Sequence, residues 1–174
     1  MVELKGLREL NIALSNIVKP FGIYGMTNGE DFGWIWWKNI ITYTLAEFDY
    51  RTEWFTDFIK DTFDYDVKNY FTITLLHEIG HAKTFDDLTK EEDDYCNEEK
   101  EKIFAIANDE TIEVTKEEEK AYQYRYWNLP DEYLATKWAV DFAKQNPDYI
   151  DNLINELMKL FQNYYEKNEV TDDE

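Results

Sequence analysis

Phe71-Thr72-Ile73-Thr74-Leu75-Leu76-His77-Glu78-Ile79-Gly80-His81-Ala82-Lys83 is the stretch on which the reading of this chain turns. Residues four apart on a helix lie on one face, so the two imidazoles project the same way. Two imidazoles so placed can both reach one zinc ion at about 2.0–2.1 Å. Glu78 is set off around the helix, where it serves as general base toward the water on the metal rather than as a ligand. The apolar residues before the motif bury the helix and fix the ligands. The bland alternative is a helix with two ordinary surface histidines. Against it, the chain has 2 histidines in all, and both fall in the motif.

A zinc site needs a third protein ligand. Without a third histidine, that ligand is a carboxylate or Cys96. The best candidate is Glu132, in Pro130-Asp131-Glu132-Tyr133-Leu134-Ala135-Thr136-Lys137-Trp138-Ala139. It sits in the first turn of a helix whose Tyr133, Ala135, Trp138, Ala139 and Phe142 are expected to face the core. An acid there also complements the helix dipole, and the neighbouring Asp131 competes for the role.

His77-Glu78-x-x-His81 followed by Glu132-x-x-Ala135-x-x-Trp138-Ala139 resembles the gluzincin pattern. It is most similar to the small ImmA/IrrE-like metallopeptidases of phages and mobile elements, over about residues 1–145. The resemblance implies an N-terminal helix, a small sheet, a metal helix and a second helix that carries the glutamate. It also implies zinc as cofactor and peptide-bond hydrolysis as activity. Zincins with an extended motif offer a rival ligand six residues past the second histidine, which here is Asp87, with Asp86 beside it.

Working outward, Leu4, Leu7, Leu10, Leu14 and Ile17 fall at helical spacing within 2–18, and Pro20 follows. Residues 21–26, 33–37 and 40–44 read as three short strands of an antiparallel sheet, with turns at Thr27-Asn28-Gly29 and Lys38-Asn39. Beyond residue 47 the pattern is helical. Phe48, Phe55, Phe58, Ile59 and Phe63 mark one helix, and 66–85 a longer one. Thr89 with Glu92, and Thr115 with Glu118, match the capping box that opens a helix. Asn128-Leu129-Pro130 and Asn146-Pro147 open helices over about 130–145 and 147–166. The expected fold is α+β: a mostly helical, zincin-like domain over 1–166 with one small sheet near the N-terminus. An acidic, frayed tail is expected over 167–174.

The formal charge of −20, from 38 acids against 18 bases, disfavours direct contact with nucleic acid or an anionic membrane and favours a protein partner with a basic surface. Met1 to Lys5 lack the start of a signal peptide, and no apolar run approaches a membrane span. With one cysteine, a soluble cytoplasmic protein is expected. Cys96 lies among acids that disfavour its thiolate. Tyr122, Tyr124, Arg125, Tyr126 and Trp127 form an aromatic-basic patch, from which a side chain could steady an oxyanion. Of Trp34, Trp36 and Trp37, at least one is expected to face solvent or a partner. Two functional readings follow. One is a metallopeptidase-like hydrolase that uses Glu78. The other is an acidic anti-defence inhibitor of the anti-CRISPR type, in which the zinc is structural and Asp86, Asp87 or Asp131 closes the site. Its target would be a basic nucleic-acid-handling enzyme such as a Cas9-type effector.

Overall fold

Capping residues set the helix boundaries. In the computed structural model, which describes residues 6–45, 51–107, 109, 111 and 113–169, α3 (Tyr70–Thr84) opens at Asn69, whose side chain accepts from the Thr72 amide at 2.9 Å. Helix α4 (Lys90–Ala107) opens on a Thr89/Glu92 box, and α5 (Lys116–Trp127) on Thr115/Glu118. Each side chain satisfies amides that the first turn leaves unpaired. Helices α6 (Pro130–Gln145) and α7 (Pro147–Glu169) begin at their prolines. Residues 167–169 continue α7 rather than starting a frayed tail, and 170–174 lie outside the described residues. Helix α1 covers Leu7–Val18 and α2 covers Arg51–Phe63. Leu4 and Phe48, expected to extend them, also lie outside the described residues.

The chain forms two compact units, one from Met1–Ala46 with Ala143–Glu174 and one from Glu47–Phe142. The first holds the sheet: β1 (Gly25–Asn28), β2 (Gly33–Ile35) and β3 (Ile40–Tyr43), in the order β1-β3-β2. The sheet is mixed. β2 and β3 form the expected antiparallel hairpin, but β1 pairs with β3 in parallel. Thr27-Asn28-Gly29 therefore does not close a hairpin. The Asn28 side chain and the Gly29 amide instead donate to the Tyr43 carbonyl, and the chain crosses to the far edge of β3. The turn at Lys38-Asn39 forms as expected. Asn39 adopts φ 49°, a left-handed conformation that asparagine tolerates, and its side chain bridges Trp34 Nε1 and the Gly22 carbonyl. Trp36 and Trp37 in that turn are exposed and meet edge to face. Leu10, Leu14, Ile17 and Val18 of α1, Met26 of β1, Ile41 and Tyr43 of β3, and Ile150, Leu153 and Leu157 of α7 are buried.

In the second unit, Phe55 and Phe58 of α2 pack on Trp127 of α5, with ring centroids 5.0 and 5.5 Å away. Residues 71–80 of α3 are all buried, as befits a helix enclosed on every side. The buried face of α6 runs through Glu132, Ala135, Thr136, Ala139 and Val140, at i, i+3, i+4, i+7 and i+8. Tyr133, Trp138 and Phe142, expected in the core, are only half-buried. The reason is steric. A Cβ on Gly80 would lie 2.9 Å from Ala135 Cα and C and would overlap the Ala135 carbonyl oxygen. The backbones of α3 and α6 touch there, so the facing residues must be small. Among the described residues, no helix is long and apolar enough to cross a membrane.

A glycine within a helix normally costs about 0.5–1 kcal/mol relative to alanine. Gly80→Ala is expected to do the opposite and destabilise by about 1–3 kcal/mol, as an overpacked core does. Urea unfolding of the variant checks the sign. A gain in stability would mean that the helices do not meet at this residue.

Candidate metal centre

The contact at Gly80 determines what the neighbouring side chains can reach. One turn before it on α3 stands His77, and directly after it His81. In the first turn of α6 stands Glu132. His77 Nε2 lies 3.1 Å from Glu132 Oε2 and 3.1 Å from His81 Nε2, and His81 Nε2 lies 3.4 Å from Glu132 Oε2. Three ligand-type atoms thus converge in a buried group within metal-binding distance. Ligands held at 2.0–2.1 Å by a tetrahedral ion stand about 3.3–3.4 Å apart, so the triangle fits such an ion closely.

The ring of His77 is oriented from behind. Its Nδ1 lies 3.0 Å from Thr136 Oγ1, and the Thr136 hydroxyl donates to the Glu132 carbonyl at 2.8 Å. A hydroxyl has one hydrogen, so Thr136 must accept from His77 Nδ1–H. Nε2 is thereby left as the ring nitrogen that faces Glu132 and His81, the one a metal would take. Phe55 packs against the face of the site at 5.5 Å from the His77 ring.

Charges around the triangle are paired. Glu132 divides its carboxylate: Oε2 faces the histidines, while Oε1 accepts from Lys100 Nζ at 2.5 Å. Lys100 also donates to Asp131 Oδ2 at 2.5 Å and lies 5.1 Å from the Tyr126 ring centroid. Burial alone would raise the Glu132 carboxyl, but the His81 and His77 rings hold it well below the usual range. Burial would likewise lower His81, yet the Glu132 carboxylate, assisted by Glu78, raises it to about 9. Burial lowers the Lys100 ammonium, and the carboxylates of Glu132 and Asp131 more than restore it. The Tyr126 phenol, buried and hydrogen-bonded to Glu132, is pushed far above its ordinary value.

His77, His81 and Glu132 are therefore brought together. Glu78 is buried beside them, and its charge acts on both His81 and Tyr126. Asp86 and Asp87 are exposed on a 3-10 turn and do not belong to the group. Asp131 is engaged by Lys100. Cys96 is buried outside the group, its thiol pushed up to about 11 by burial, in keeping with an unreactive residue. Within the aromatic-basic patch, Tyr126 alone is hydrogen-bonded to Glu132 among the contacts described. Tyr124 donates to Asp61, and Arg125 pairs with Glu99. Sequence reading missed Lys100, Thr136 and Gly80. The signal for the last was its place inside the motif, on the face that carries both histidines. Compared with protein-family models, with curated proteins and with solved structures, the chain finds no match.

The sign of the pH dependence follows from His81. With its pKa at about 9, the metal-free site holds a proton on His81 at neutral pH. A metal needs that imidazole deprotonated and must displace the proton. Affinity for a divalent ion is therefore expected to rise about tenfold per pH unit up to about pH 9 and then level off. Calorimetric titration at pH 7 in buffers of different ionisation enthalpy should read one proton released. No proton release would place the His81 pKa below neutrality.

Proposed function

We propose that the chain is a zinc-dependent hydrolase of the gluzincin type, acting on peptide bonds. The observation that carries this reading is the triangle of His77, His81 and Glu132, with the His77 ring oriented by Thr136. Two imidazoles and one carboxylate are a ligand set suited to catalytic zinc, which keeps an open position, whereas structural zinc takes four protein ligands. When bound, the ion would polarise the scissile carbonyl and lower the pKa of a water at the open position to about 7. The protein's own part is positional and protolytic. Thr136 orients the His77 ring, and Lys100 fixes the Glu132 carboxylate. Glu78 takes a proton from the attacking water and passes it to the leaving amine.

The inhibitor reading with a structural metal needs a fourth ligand. Among the described residues none accompanies the three: Asp131 is held by Lys100, and Asp86 and Asp87 face solvent. The acidic surface that motivated that reading is compatible with a basic protein substrate as much as with a basic target.

Glu78→Gln is expected to lower hydrolysis of an unfolded protein substrate by about 100- to 10,000-fold, the usual share of a general base, with metal content unchanged. Full activity in the variant would remove Glu78 from the mechanism. Because the ion would link α3 to α6, its binding free energy adds to folding free energy. Chelation and His77→Ala should each lower the melting temperature. An unchanged melting curve after verified metal removal would mean that no ion links the two helices.

A further inference from the structure

Lys100 has no place in the ligand set or in proton transfer, yet it is held where an exposed lysine would not be. Its side chain is 20% exposed, on the inner face of α4 beside Cys96, Glu99 and Ile103. Its ammonium takes two carboxylates from the first turn of α6, Asp131 Oδ2 and Glu132 Oε1. Of these, Glu132 Oε1 belongs to the carboxylate whose other oxygen faces His77 and His81. Asp131 is the neighbouring acid on the same turn and lies outside the group of three.

We propose that Lys100 is a positioning residue that keeps the metal's coordination sphere open. By occupying Glu132 Oε1 it holds that glutamate to a single ligating oxygen. Its second bond, to Asp131 Oδ2, anchors the ammonium beside Glu132 from outside the triangle. The cation thereby reserves a position for water and substrate, and it offsets the buried negative charge of Glu132. This inference rests on the reading of His77, His81 and Glu132 as metal ligands.

The test uses the full chain loaded with cobalt(II), whose visible absorption reports coordination number. Wild type is expected to give the intense bands of a four-coordinate ion, which shift when azide takes the open position. In Lys100→Met the freed Glu132 Oε1 should add to the coordination sphere. The band intensity should then fall by half or more, and the azide response should be lost. Lys100→Arg, which can still bridge two carboxylates, should restore the wild-type spectrum. Should Lys100→Met fail to fold because the half-buried Asp131 is left without its cation, Lys100→Met combined with Asp131→Leu removes the pair together. The same loss of intensity is expected there, from Glu132 alone. Unchanged bands and azide response in the folded single or double variant would overturn the role of Lys100 while leaving the metal site standing. Cobalt bound equally well by His77→Ala would instead overturn the ligand assignment itself.

Discussion

Two helix backbones touch at one point, and the site follows from that contact. Gly80 presents no side chain to α6, and the Ala135 backbone occupies the space a Cβ would need. His77 and His81 flank the contact on α3; Glu132 and Thr136 flank it on α6. An imidazole and a glutamate have short reach, so they meet at 3.1 Å only if their backbones approach this closely. Buried alanines at 135 and 139 serve the same end. The usual gain from burying large side chains is given up along this seam. The aromatic packing that compensates is elsewhere in the unit, where Phe55, Phe58 and Trp127 cluster.

A buried group of this kind has to settle its charges. Taking an ion out of water costs several kcal/mol per charge, so each must find a partner. Glu132 finds two: Lys100 on one oxygen, the histidines on the other. Without a metal, the extra proton on His81 stands where a cation would stand, facing the same carboxylate. A divalent ion held by the triangle would have to displace that proton.

How much of this was legible in the sequence depends on the range of the interactions. Helix starts are local: Thr89, Thr115, Pro130 and Pro147 each stand at or beside the helix start they mark. The i, i+4 spacing of His77 and His81 is local too, and Glu132 could be found because an acid was required and Glu132-x-x-Ala135-x-x-Trp138-Ala139 resembles a known second motif. The parallel pairing of β1 with β3 was not legible, since turn residues report that the chain reverses but not which strand it will join. The buried face of α6 was misjudged because large apolar residues are read as core. Here Tyr133, Trp138 and Phe142 are excluded from the face that meets Gly80. Lys100 was hidden by its neighbours. Read as a run, 86–102 is a solvated acidic stretch; read as a helix, it has an inner face with Cys96, Glu99, Lys100 and Ile103.

That division of α4 bears on the charge of the whole chain. Its outer face carries Glu91, Glu92, Asp93, Asp94, Glu98 and Glu101, all exposed, and none of them touches the triangle. A chain at −20 repels itself, which weakens the compact state. In the proposed reading a divalent cation bound by His77, His81 and Glu132 relieves part of that repulsion from inside. The same negative field draws cations toward the protein before they reach the ligands. One helix then serves two ends. Its inner lysine orders the carboxylates at the site, and its outer acids shape the field around it. The separation holds because a helix turns its faces apart every 3.6 residues, so Lys100 can sit among acids in sequence and still pair with two others, Asp131 and Glu132 of α6, in space.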